Sequence, residues 1–162
     1  MSLEIIEADL LDFPNGINVI AHSCNTKNVM GAGIARLIKE RYPEAYQADC
    51  EAYENSEVAL GLFSFCKLNS DPHKRIINLY TQNQFGDGRQ VNYESFYDSI
   101  DYLCKAIGSS PDASKYILGF PFGISCGLAG GNWNIISCML NEVFQNAKFK
   151  TFIVKKIHEY HA

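Results

Sequence analysis

An α/β fold, with a largely parallel sheet and helices on both faces, is what this sequence predicts. Three observations carry the prediction. Short apolar runs that read as buried strands alternate with stretches whose apolar residues recur at helical spacing. Two glycine-rich turns each follow a strand, as they do at the carboxyl edge of a parallel sheet, where ligand loops gather. A chain of 162 residues, 47% hydrophobic and 20% charged, fits one domain with a sizeable core, expected to span residues 1–162.

In chain order, residues 3–8 read as a first strand, ended by Asp9-Leu10-Leu11-Asp12 and a turn at Pro14-Asn15-Gly16. Asn18-Val19-Ile20-Ala21-His22 is a second strand, apolar enough to be central. Ser23-Cys24-Asn25-Thr26-Lys27-Asn28 breaks the pattern with polar residues. Residues 29–36 are glycine-rich and open a helix in which Ile34, Leu37, Ile38 and Tyr42 share one face. That helix stops before Pro43. A second helix covers 43–53. A strand lies within 58–66, beginning late, and a turn at 69–73 leads to a strand at 75–82. Residues 83–92 form a polar loop with Gly86 and Gly88, long enough to lie beside a ligand. Phe96, Ile100, Leu103 and Ile107 give the helix over 93–107 its core face. After a loop at 108–112, residues 115–120 read as a buried strand. Trp133, Ile136, Leu140, Val143 and Phe144 mark the last helix, and 149–154 the last strand.

The chemistry concentrates in Phe120-Pro121-Phe122-Gly123-Ile124-Ser125-Cys126-Gly127-Leu128-Ala129-Gly130-Gly131-Asn132-Trp133. Strand, glycine-rich turn and helix start together make an anion site. Glycines let backbone approach a ligand, and free N–H groups of a first helical turn point at negative charge. A flexible surface loop is the competing reading. The earlier segment, Met30-Gly31-Ala32-Gly33-Ile34-Ala35-Arg36, fails the dinucleotide fingerprint because Arg36 occupies the third glycine position. It also lacks the lysine and hydroxyl of a P-loop. What remains is a second helix start opened by glycines, and two such turns at one sheet edge suit a diphosphate.

Composition narrows the partners. The net charge of −4 lacks the footprint of a general nucleic-acid binder. No apolar run reaches the ~18 residues a membrane span needs. Met1-Ser2-Leu3-Glu4 carries no secretory pattern, so a cytoplasmic protein is expected. Cys24, Cys50, Cys66, Cys104, Cys126 and Cys138 form no C-x-x-C pair, which argues against zinc and for reduced, packed thiols. No metal or cofactor is called for.

Asp9-Leu10, His22-Ser23-Cys24-Asn25, the Met30 to Ala35 segment and the Gly123 to Trp133 segment occur in an order and spacing that resembles a macrodomain. The resemblance is to the Appr-1″-p processing type, similar to phage and bacterial macrodomains and the yeast ADP-ribose 1″-phosphate phosphatase. It implies a three-layer α/β/α sandwich with a mixed, mostly parallel sheet, and ADP-ribose as ligand. It further implies that Asp9 accepts from the adenine amino group and Leu10 lends a backbone N–H. Read from position alone, Asp9 is a strand-end turn residue. By the same resemblance Asn25, Met30, Gly31, Ala32, Gly33 and Ile34 face the distal ribose. Ser125, Cys126, Gly127, Leu128 and Ala129 offer backbone donors to the diphosphate, with Ser125 standing where the family loop commonly has glycine. Phe85 or Tyr80 walls the ribose pocket, or is core.

A glycohydrolase branch of the family uses a lysine and an aspartate; those positions hold Gln82 and Ala129, which can do neither job. The other branch keeps a histidine where His22 stands. The leading expectation is hydrolysis of ADP-ribose 1″-phosphate, with His22 donating a proton or orienting water beside Asn25. A lone strand-end histidine can equally be a packed, hydrogen-bonded one. The alternatives are a module that reads free or protein-linked ADP-ribose without chemistry, and de-ADP-ribosylation by an altered mechanism. Cys126 reads as a small packing residue, or as a nucleophile if a helix start lowers its pKa.

Overall fold

The computed structural model describes residues 3–85 and 88–157. Gly86 of the ligand-side loop and the Met1-Ser2 start fall outside them. Among the described residues there are six strands: β1 (Leu3–Glu7), β2 (Val19–Asn25), β3 (Phe63–Lys67), β4 (Arg75–Gln82), β5 (Ile117–Pro121) and β6 (Lys150–Lys155). The helices are α1 (Gly33–Arg41), α2 (Pro43–Glu54), α3 (Tyr93–Gly108) and α4 (Trp133–Phe144). The sheet order is β1-β6-β5-β2-β4-β3, with every pair parallel except β3 against β4. This is the mixed, mostly parallel sheet the sequence predicts.

Alternation along the central strands sorts the core into two layers. Val19 and Ala21 of β2, with Ile77 and Leu79 of β4, meet Phe96, Ile100 and Leu103 of α3 and Ile136, Leu140 and Phe144 of α4. Ile20 and Ile76 face the other way, onto Ile38 of α1 and Ala45 of α2. Helices therefore cover both faces, and the carboxyl ends of five parallel strands share one edge.

Two local expectations change. β2 does not stop at His22 but runs to Asn25, pairing with β4 as far as Gln82 through a register shift at Cys24 and Asn25. Polar residues end this strand because their side chains reach partners near the site rather than water. Leu37 is exposed, not on the core face of α1. Ile34, Ile38 and Tyr42, each four residues on, form the row that packs inward, and Leu37 lies to one side of it. As read from the sequence, α4 begins at Trp133, and Asn132 caps it by accepting the Asn134 N–H at 2.9 Å. The second glycine loop thus supplies donors from its own backbone, not from the helix behind it.

Candidate functional site

A cleft of about 660 Å³ opens at the shared carboxyl edge, between the ends of β2 and β5. Gly31, Ala32, Gly33 and Ile34 line one side; Ser125, Gly127, Leu128 and Ala129 line the other. The two glycine segments therefore meet across one cavity, and an added methyl on Gly33 would sit 3.7 Å from Leu128 Cδ1.

The first wall is shaped by Asn25. Its Oδ1 accepts the Lys27 N–H at 2.9 Å and the Val29 N–H at 3.4 Å, and its Nδ2 donates to the Val29 carbonyl at 2.9 Å. The side chain thereby ties the chain into a turn that delivers Met30, buried against Cys24 and Tyr80, and then α1. Asn28 takes a left-handed φ of 61° inside this turn. Ala32 offers α1 no side-chain cap, and the first helical bond reaches only Arg36. The N–H groups of Gly33, Ile34 and Ala35 accordingly have no acceptor among the described residues, and all three residues border the cleft.

The second wall is a tight coil. Cys126 N–H donates to Gly123 O at 2.9 Å, Gly130 N–H to Gly127 O at 3.0 Å and Gly131 N–H to Ser125 O at 2.8 Å. The amide of Cys126 is spent inside the loop, whereas those of Ser125, Gly127, Leu128 and Ala129 have no acceptor among the described residues. Ser125 adopts a φ of 64°, a conformation glycine takes freely, and its hydroxyl lies 2.5 Å from that of Ser23.

Of the described lining residues only Cys24 can ionise, and burial, reinforced by the Asp49 charge, pushes its thiol well above the ordinary range. The field that would hold an anion comes from oriented amides and the α1 dipole rather than from lysine or arginine. Gln82 and Ala129, at the positions of the glycohydrolase residues, both border the cleft. Among the described residues, no group of three or more His, Cys, Asp or Glu could hold a metal ion.

The structure brings only part of the expected set to this cavity. Asp9 lies at the end of β1 on the same edge but is not a lining residue; its Oδ1 caps the following turn by accepting the Leu11 N–H at 3.1 Å. Leu10 is buried beside Gly119 in the core. Phe85 lines the cleft, but Tyr80 faces α2, where its hydroxyl donates to Asp49 Oδ1 at 2.6 Å. Burial raises the Cys126 thiol, the opposite of what a reactive thiolate requires, so the packing reading fits.

His22 is fully buried on the α2 side of the sheet and does not reach the cavity. Its Nε2 lies 2.8 Å from Asn78 Oδ1, and Asn78 Nδ2 donates to Ala45 O at 3.0 Å. Burial lowers its pKa from 6.5 to about 4, against weaker opposing effects of Asn78 and Asp49. The fold thus keeps the neutral ring. Between pH 6.5 and about 4 the native state binds fewer protons than the unfolded chain, so stability is full above that window and falls as pH drops through it. A gap of this size is worth about 3 kcal/mol. Urea unfolding at about pH 7 and about pH 5 should show a steeper acid loss in the wild type than in His22→Gln.

Ser23 and Phe122 are among the lining residues to which the sequence reading gave no role. Ser23 sits on the opposite face of β2 from His22, so strand alternation points it at the cleft once β2 is extended past His22. Phe122 borders the cleft too, its ring 4.7 Å from Trp133 and covered by Lys155 Nζ at 5.0 Å. An aromatic directly after a strand, inside the glycine stretch, was the available signal.

The chain matches the Macro domain family over residues 21–136. It is similar to an uncharacterized 17.5 kDa protein in the tk-vs intergenic region of Enterobacteria phage T4, at 31% identity over 87% of this chain and 89% of that one. It is similar to the ADP-ribose 1″-phosphate phosphatase of Candida albicans, at 25% identity over 94% of this chain and 99% of that protein. The structure of Thermosipho africanus DarTG in complex with ADP-ribose superposes with a TM-score of 0.78 at 18% identity, over all of this chain and 43% of that one.

Proposed function

We propose, from the premise that this chain belongs to the macro domain family, that its cleft binds ADP-ribose and hydrolyses ADP-ribose 1″-phosphate to ADP-ribose and phosphate. One observation carries the reading: two sets of backbone N–H groups without acceptors among the described residues, those of Ser125, Gly127, Leu128 and Ala129 and those of Gly33, Ile34 and Ala35, converge on one cavity. The first set would take the diphosphate. The distal ribose would lie between Asn25 and the Met30 to Ile34 segment, with its phosphate at the open start of α1. Asp9, whose second carboxylate oxygen is uncommitted, would take the adenine amino group, and Leu10 would lend its N–H. The Candida albicans phosphatase of near-equal length and the ADP-ribose in the Thermosipho africanus structure support the substrate class.

In the reaction, a water oxygen bonds to phosphorus as the bond from phosphorus to the ribose oxygen breaks, and that oxygen leaves with a proton from solvent. Negative charge growing on the phosphoryl oxygens meets preorganised amides. Asn25 enters as the residue that holds the first loop, its amide engaged with Val29, whereas His22 enters only as an enclosed ring bonded to Asn78. The setting proposed is the cytoplasm, where cysteines stay reduced.

A second reading has its own observation. Among the described residues that line it, the cleft carries no carboxylate, imidazole or amine, which suits a module that binds free or protein-linked ADP-ribose and does no chemistry. Calorimetry with ADP-ribose and phosphate release from ADP-ribose 1″-phosphate separate the two. Binding with turnover supports the phosphatase, binding without turnover moves the assignment to the reader, and no binding removes both. His22→Ala is expected to lose stability before it loses chemistry.

A further inference from the structure

The Ser23 and Ser125 hydroxyls, 2.5 Å apart, are the only hydroxyl groups among the described residues lining the cleft. They join the end of β2 to the second glycine loop across 102 residues of sequence. Ser125 is almost fully buried, holds a φ of 64° and is clamped from behind by the Gly131 N–H on its carbonyl at 2.8 Å. A side chain in left-handed backbone is strained, and glycine would occupy the site without that strain. Something specific to the hydroxyl therefore offsets the strain. Counting hydrogens shows what it leaves over. The pair has two O–H groups; one hydrogen lies between the oxygens, and the other has no acceptor among the described residues. Both side chains border the cavity, so that second hydrogen is available to whatever fills it.

We propose that Ser23 and Ser125 act as one unit that sets the second glycine loop and donates the free O–H to a phosphoryl oxygen of the bound nucleotide. A phosphoryl oxygen only accepts, so Ser23, the less buried of the two, makes the contact while Ser125 supports it from the loop. The bond is charge-assisted, and the inner hydroxyl strengthens the outer one by polarisation. This deepens the proposed function and rests on it, because it presumes a phosphate in the cleft. It makes the pair a specificity device: a side-chain donor in a cavity whose other donors are mostly backbone.

The test uses shape-matched substitutions on β2, where branched side chains are well tolerated. Ser23→Thr and Ser23→Val add the same bulk and differ only in the hydroxyl. ADP-ribose binding by calorimetry should stay near wild type in Ser23→Thr and fall roughly 10-fold in Ser23→Val, the size of a lost charge-assisted hydrogen bond. Ser125→Gly should melt at or above the wild-type temperature yet bind ADP-ribose more weakly, a split that a purely structural serine does not produce. Equal affinities for the Thr and Val variants, or wild-type affinity in Ser125→Gly, overturn the proposal while leaving ADP-ribose binding intact. A wild-type protein that binds no ADP-ribose overturns the functional reading and the pair's role together.

Discussion

Gly131→Ala should weaken ADP-ribose binding by roughly 100-fold, the equivalent of two lost hydrogen bonds to a charged group. Gly131 does not need glycine for its φ; it needs it for space. A methyl there would stand 2.6 Å from the carbonyl oxygen of Ser125, 3.3 Å from its carbon and 3.1 Å from Val91 Cγ1. Two of those neighbours are backbone and cannot rotate aside. The loop must open, which breaks the bond from Gly131 N–H to Ser125 O and turns the Ser125 and Gly127 amides from their present directions. Overpacking of this kind usually costs about 1–3 kcal/mol of stability, so the variant should still fold. Calorimetry with thermal melting reads both effects. Gly108→Ala is the control, since nothing lies within 4 Å of its added methyl and it sits at the end of α3, away from the cleft. If Gly131→Ala bound ADP-ribose like the wild type, the second loop would not be the phosphate wall.

The largest loss of stability is expected from Asp49→Ala. Asp49 is buried in α2, and its carboxylate accepts the Tyr80 hydroxyl at 2.6 Å and Asn28 Nδ2 at 2.9 Å. In the same network Ser64 Oγ donates to the Tyr80 hydroxyl oxygen at 2.7 Å, Asn78 Nδ2 donates to Ser64 Oγ at 3.1 Å, and Asn78 Oδ1 lies 2.8 Å from His22 Nε2. Burial and the adjacent carboxylate push the Tyr80 hydroxyl far above its usual range, so it stays a donor. Removing Asp49 strands Tyr80 as a buried donor to the carboxylate and leaves the half-buried Asn28 Nδ2 with only Cys50 Sγ, at 3.5 Å. The two losses together cost about 2–4 kcal/mol, or roughly 10 °C in melting temperature for a chain of this size. Asn28 holds the left-handed step of the first loop, so ADP-ribose affinity should fall as well. A double-mutant cycle with Tyr80→Phe should be strongly non-additive, because the two changes remove one bond. Additive losses would mean that the network is a set of independent contacts.

The strands and helices were largely legible, and the failures are local. Phe96, Ile100, Leu103 and Ile107 recur at helical spacing and fill the α3 side of the core as read. The end of β2 misled because Ser23, Cys24 and Asn25 are polar, and polarity in sequence looks the same whether it faces water or a partner. Leu37 misled for the converse reason: an apolar residue fits a helical face on paper, but the row beside it does the packing. His22 shows the limit for the site. Its residue type announces proton chemistry, yet strand alternation and the Asn78 carbonyl turn it into the core. Ser23 went unnoticed because its meaning depends on a loop 102 residues away.

Residue order alone determined the α/β alternation and the placement of both glycine turns after strands, since periodicity and backbone freedom are local properties. Folding in three dimensions decided which amides were left without acceptors, which face of β2 met the cleft and which side chains were enclosed. Those outcomes depend on partners far away in the chain, and a hydrogen bond or a buried surface exists only once both sides are in place.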